Sequence, residues 1–445
     1  VTRSVAVVVL LLLAPVEAVS AGDGAETYWP QWRGPLLSGV APKAEPPLEW
    51  SETKNVAWKV EVPGKGSATP VVWGEQIFVL TAIPTEVRGA APEPDPPPAA
   101  SGRRRRGPRG IQPEFVHEFA ILSIHRKDGT VAWQRVLREE LPHEGTHRTG
   151  TWASSSAITD GERVYAFFGS RGLYALDMAG ELLWEKDLGD MTIKMGFGEG
   201  SSPALHDGRL VVNWDHEGDS FIVALDAKTG EELWRKSRDE QTSWATPLVV
   251  EWDGKAQVVS SATKRVRSYD LATGELLWEA SGMTGNVIPM PVHSDGLVYV
   301  TSGFRGNALL AVRLADARGD ITGTPAIVWS LDRDTPYVPS PLLYGDQLYL
   351  LKSNDGILIA LDAKTGERHY GERLDGVPNV YASPIGATGR IYVAGREGAV
   401  AVVRSGPMFE LLAVNELDDG FDASPVAVDG ELYLRGKHLY RISED

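Results

Sequence analysis

Short apolar runs, each closed by a polar turn and answered by a tryptophan, recur along the chain. In the clearest copy, Ile222-Val223-Ala224-Leu225 leads into Asp226-Ala227-Lys228-Thr229-Gly230, and Trp234 follows. The run has the composition of a strand. The Asp-to-Gly stretch reads as a tight turn whose glycine takes a positive φ. The unit returns at Leu361–Glu367 and Tyr269–Trp278, more loosely at Leu176–Trp184, and in degenerate form at His125–Trp133. One unit copied many times predicts a repeat fold. With a tryptophan in nearly every copy, the indoles are expected to pack between neighbouring sheets rather than on a ligand.

A second landmark sets the interval. Pro stands at 70, 203, 247, 291, 341, 384 and 425, in most copies after Ser or Thr, and Ser156-Ala157 occupies the matching place. Apart from the first, the gaps fall in the roughly 40–50 residues of a four-stranded propeller blade. Pro is tolerated where a strand begins. Short strands fill the intervals, at Arg163–Phe167, Leu297–Thr301, Gln347–Leu351, Arg390–Ala394 and Glu431–Leu434, several of them started by Asp-Gly. The eight landmarks predict an all-β, eight-bladed β-propeller of four-stranded antiparallel blades. The last unit, Ser424–Ile442, has room for only three strands. Asn55–Val62, which carries Trp58, is expected to complete it and close the ring, so that no sheet edge is left open.

Outside the repeats the chain changes character. Residues 1–21 read as a secretory signal peptide, with Arg3, an apolar core Val5–Leu13 and a small-residue site at Val19-Ser20-Ala21. That core is too short to span a membrane, which takes roughly 20 residues, and no later stretch is a transmembrane candidate. Residues 22–54 are irregular, and Trp29 and Trp32 within them are expected to pack along the propeller's flank. The propeller then occupies 55–445. Within it, the insertion 84–113 is rich in Pro, Ala and Gly, carries Arg103-Arg104-Arg105-Arg106, and is expected to be disordered. The net charge of −16 disfavours nucleic acid as a partner. The chain has no cysteine, hence no disulfide, lipidated Cys or thiolate ligand. Together these features predict a periplasmic or secreted protein.

In an antiparallel meander alternate loops emerge on the same face. The inter-blade loops, which lead into each Pro landmark, therefore share a face with the turn between each blade's second and third strands. This face gathers the non-repeating residues, and loops on a rigid scaffold are where function concentrates. Candidate binding residues are Arg148, Trp152, Lys194 and Trp244 together with Arg305, Tyr337, Arg396 and Asp422. The insertion should hang over the same face. Mixed charges with scattered aromatics suit a peptide, a glycan or an anionic small molecule, and the expected partner is an envelope protein, a peptide or a glycan. Asn213-x-Asp215-x-Glu217-x-Asp219 alternates like an oxygen-ligand calcium loop, but a tight turn points alternate side chains apart. His143 and His147 have metal-ligand spacing only on a helix, which Gly145 opposes. Ser154-Ser155-Ser156 lacks the glycines of a nucleophile elbow. The pattern thus assigns no catalytic residue and no metal ligand.

The copies of A-L-D-A-K-T-G-E-E-L-W and S-P-x-x-x-x-G resemble the pyrroloquinoline quinone (PQQ)-type β-propeller repeat from about Asn55 to Ile442. The resemblance implies one of two branches. The non-catalytic, BamB-like branch binds partner proteins in outer-membrane assembly. The quinoprotein dehydrogenases carry PQQ and Ca²⁺, usually beside an adjacent-cysteine disulfide that this chain cannot form. The expectation is a non-catalytic binding or scaffold propeller without a cofactor. A PQQ-dependent oxidoreductase is the alternative, and a glycan-active lyase or hydrolase a further one.

Overall fold

The computed structural model describes residues 25–89 and 110–444. The segment read as a signal peptide and most of the insertion lie outside them. Eight sheets follow one another at 71–140, 158–186, 204–237, 248–280, 292–331, 342–373, 385–416 and 426–443, and are called blades 1 to 8. Each is built on a four-stranded antiparallel meander, to which blades 4 and 7 add a short parallel fifth strand. In blade 8 the fourth strand is Val56–Glu61, which pairs antiparallel with His438–Ser443, Trp58 opposite Arg441. The ring is closed by the N-terminal strand, as the pattern predicts.

The repeat has a direct physical cause. In blades 8, 1, 2, 3 and 5 the indole lies over the turn glycine of the next blade. A Cβ on Gly129, Gly180, Gly230, Gly274 or Gly366 would come within 2.8 Å of Trp58, Trp133, Trp184, Trp234 or Trp329 respectively. The indole N–H reaches a carbonyl of that next blade: Trp184 to Ala227 at 3.1 Å, Trp234 to Leu271 at 2.9 Å and Trp329 to Ala363 at 3.1 Å. The turn is set by its aspartate. Asp226 Oδ1 accepts from the amides of Lys228 and Thr229, both at 2.9 Å, and Gly230 has φ 73°. The Asp-Gly turns 207–208, 253–254, 295–296 and 429–430 begin at positive-φ aspartates, as tight hairpins require.

The Ser/Thr landmark has its own role. Around the channel, each backbone N–H donates to the hydroxyl of the next blade. Thr69 donates to Ser156, Ser156 to Ser202, Ser202 to Thr246, Met290 to Ser340, Ser340 to Ser383, Ser383 to Ser424, and Ser424 back to Thr69, all at 2.9–3.1 Å. The belt breaks at Met290, which has no hydroxyl to offer Thr246. At the same junction Trp278 bonds Gln257 of its own blade, at 3.0 Å, instead of docking on blade 5. A different device seals this seam. The excursion from blade 5 adds Gly319–Asp320 as a parallel fifth strand on blade 4, and Ile321 is buried beside it.

Two expectations are corrected. Trp29 and Trp32 do not lie on the flank. Residues 28–45 enter the channel from the side of the Asp-to-Gly turns and fill it. Trp29 pairs with Val72 of blade 1, Pro30 accepts from Thr159 of blade 2, Val40–Ala41 pair with blade 7, and Glu45 reaches blade 8. Arg33 bonds the carbonyls of Pro341 in blade 6 and Pro384 in blade 7. An apolar, aromatic-rich segment finds more burial in the channel than on a wet flank. The insertion is also shorter than its composition suggests. Gln76–Arg88 is one continuous strand through Pro84, paired with Phe115–His125. Pro84 starts no break because it sits near the solvent end of the hairpin.

Candidate functional site

With the channel plugged from one side, the other side is a cup of about 420 Å³. Its floor is Trp32, whose indole donates to Ser424 Oγ of the hydroxyl belt at 3.3 Å. Its walls come from the inter-blade loops and the turns beside them, the face on which sequence periodicity places the non-repeating residues. Aromatic rings line it in braced pairs. Phe304 stacks on Tyr337 at 5.0 Å, His147 meets the edge of Phe197 at 4.9 Å, and Arg396 lies 4.1 Å over Tyr381. Trp244 is fixed by its indole donating to Gly198 O at 2.7 Å. Such braced rings give apolar area at little entropic cost.

Two acids line the cup and both are held. Asp422 takes two hydrogen bonds from Arg396, at 2.5 and 3.0 Å. Glu199 accepts from the amide of Ser170 at 2.7 Å and its hydroxyl at 2.5 Å. Burial nevertheless pushes the Glu199 carboxyl above its ordinary pKa. Burial, then the charges of Arg148 and Arg396, push His147 down. Thr146 Oγ1 is buried in the wall and has no hydrogen-bond partner among the described residues. The returning end of the insertion runs beside the cup. Ile111 pairs with Thr146 in both directions, at 2.7 and 3.0 Å, and the amide of Gly110 donates to Met195 O.

Residues 48–218 and 218–445 each match the family described as outer membrane protein assembly factor BamB. The chain belongs to this family. Among solved structures, BamB from Moraxella catarrhalis is similar with TM-score 0.58 at 14% identity, over 87% of this chain and 99% of that one. The quinohemoprotein alcohol dehydrogenase from Comamonas testosteroni is similar with TM-score 0.62 at 10% identity, over 96% and 82%. A second such dehydrogenase, from Pseudomonas putida HK5, gives TM-score 0.57 at 12% identity, over 95% and 77%. At these identities the likeness shows the fold alone. No curated protein sequence matches the chain.

In this BamB-family propeller the eight candidate residues separate into groups. Trp244, Tyr337 and Asp422 line the cup, and Arg396 braces it through Asp422 and Tyr381. Arg148 and Arg305 are exposed on the same face, Arg305 over the ring of Phe304 at 5.2 Å. Lys194 lies in the next loop, held by its amide to Thr242. Trp152 turns away from the cup. Its indole donates to Glu144 O at 3.0 Å and packs on His117. Trp32, Thr146, Phe197 and Phe304 also line the cup; of these the pattern named only Trp32, and placed it on the flank.

Asp215 is enclosed by Arg238 at 2.7 and 3.0 Å and by Ser243 at 2.8 Å. Glu217 caps Thr242, and the His216 ring accepts from the amide of Thr192. These side chains hold blade 3 to its neighbouring loops. His143 and His147 bond Met191 O and Thr149 Oγ1 separately. Among the described residues no cluster of three or more His, Asp or Glu is placed to hold a metal ion. No helix among them is long and apolar enough to cross a membrane.

Proposed function

We propose that the chain is an exported, non-catalytic binding propeller of the cell envelope. In this reading it holds a segment of a partner protein in the cup, in a BamB-like assembly role. The observation that carries this is the N-terminal plug. It converts an open channel into a one-sided, aromatic-walled cup whose two acids are already bound by the protein's own donors. Family membership supports a protein partner. The test is a photoreactive phenylalanine analogue at Tyr337 in the native envelope, with and without Trp244→Ala. A discrete crosslinked partner lost in the variant is expected. Turnover of a substrate that Trp244→Ala abolishes would overturn the non-catalytic reading.

The flat floor of Trp32 under aromatic walls favours one second reading, a planar quinone such as PQQ in the cup. The rings would hold such a cofactor, which would supply redox chemistry when bound. The acids do not fit a Ca²⁺ beside it, since Asp422 and Glu199 are engaged. Titration with PQQ alone and with Ca²⁺, read by absorbance, separates the two readings: saturable binding at low micromolar concentration moves the assignment to an oxidoreductase.

A further inference from the structure

The lining of the cup combines aromatic faces with acids. Six rings face it, those of Trp32, Phe197, Trp244, Phe304, Tyr337 and Tyr381. Its carboxylates are Glu199 and Asp422, and among the described residues no lysine or arginine lines it. His147 lines it as well, and burial pushes that imidazole toward its neutral form. The face of an aromatic ring is negative and attracts a cation within about 6 Å of its centre. The protein already uses two of these rings in that way. Arg396 lies 4.1 Å from the centre of Tyr381 and Arg305 lies 5.2 Å from that of Phe304. Both arginines stand outside the lining, and Arg396 spends its charge on Asp422. Trp32, Phe197, Trp244 and Tyr337 have no cation over them among the described residues.

The acids narrow the kind of cation. Every carboxylate oxygen already accepts a hydrogen bond from the protein, Asp422 from Arg396 at 2.5 and 3.0 Å and Glu199 from Ser170 at 2.7 and 2.5 Å. A metal ion needs such oxygens as ligands, and a primary ammonium needs them as acceptors for its three donors. A primary ammonium is also strongly hydrated and gives up that water at a cost. A quaternary ammonium donates no hydrogen bond. It asks only for ring faces and a negative field, and aromatic cages are its usual recognition chemistry. The plug closes the floor, and the remaining volume of about 420 Å³ is that of a small-molecule site.

We propose that the cup binds a trimethylammonium compound of the choline class, free or as the head of a lipid. Its cationic head would lie over Trp32, among Phe197, Trp244 and Tyr337, in the field of Glu199 and Asp422. This goes beyond the protein-binding reading and rests on the lining of the cup alone.

The test is calorimetry on the full chain at pH 8 with four probes. These are choline, its uncharged carbon isostere 3,3-dimethyl-1-butanol, ethanolamine and phosphocholine. Choline is expected to bind saturably, about tenfold or more tightly than the isostere or ethanolamine. Phosphocholine separates the two sources: tighter binding than choline supports a lipid head, and weaker binding supports the free compound. Tyr337→Leu keeps apolar bulk and removes a ring face, and Glu199→Gln keeps shape and removes a charge. Each should weaken choline several-fold and leave the isostere unchanged. Where Tyr337→Leu fails to fold, the four probes on the parent protein and Glu199→Gln still decide. Equal binding of choline and the isostere overturns the cation claim, and equal binding of choline and ethanolamine overturns the quaternary one. Choline binding that neither variant weakens overturns the placement in the cup. Absence of choline and phosphocholine binding overturns the inference as a whole.

Discussion

Glu199 shows how one wall residue couples the cup to pH. Its carboxyl is raised by burial although Ser170 gives it two hydrogen bonds. The folded protein therefore holds that proton more tightly than the unfolded chain does. Stability from this group is greatest below the ordinary carboxylate range and falls as pH rises from there through the raised folded value. Glu199→Gln keeps the shape and removes the titration. The variant should resist urea better than the parent at pH 8, and the two should converge near pH 4. Parallel curves across that range would show that Glu199 is not the destabilised group. At this scale the sequence was partly legible. Loop alternation along the meander brought Trp244, Tyr337, Asp422 and Arg396 to one cup. It says nothing about how a side chain turns within an irregular loop, and Trp152 shares the face yet packs on His117.

At the scale of elements, the seam between blades 4 and 5 is the exception that explains the rule. Both repeating fastenings are missing there: the belt breaks at Met290 and Trp278 stays within its own blade. The parallel strand Gly319–Asp320 replaces them, with Ile321 N–H donating to Glu279 O at 2.9 Å and the Arg265–Asp320 pair at 3.0 Å. Ile321→Ala should cost about 2–5 kcal/mol. Hydrogen exchange should quicken first at 255–270 and 297–313, because the loss falls on one seam. A uniform change around the ring would count against the seam. The Asp-to-Gly turn and its tryptophan could be read from sequence because the contact joins positions that recur. The plug could not, because residues 28–45 repeat nothing and meet blades 1, 2, 6, 7 and 8 across long stretches of chain.

At the scale of the molecule, the ring depends on Val56–Glu61. Trp58 is half-buried, its indole donating to Arg126 O of blade 1 at 3.1 Å. It thus latches blade 8 to blade 1. Trp58→Ala should cost about 2–3 kcal/mol, below the full-burial figure, and bare the edge of His438–Ser443. A lower melting temperature with a rise in oligomer on size exclusion is expected; an unchanged melting temperature would mean the ring closes without the latch. The strand count, the number of blades and the closure were all legible, because each follows from spacing along the chain.

Closure by the first strand also fixes an order of events. Val56–Glu61 is synthesised long before its partner His438–Ser443. At about 5–20 residues per second the wait is on the order of tens of seconds. Through that time the strand and the plug before it have no finished ring to enter, and each completed blade offers an open flank to other chains. The protein is therefore most exposed to aggregation while it is being made, and its ring becomes self-contained only when His438–Ser443 arrives.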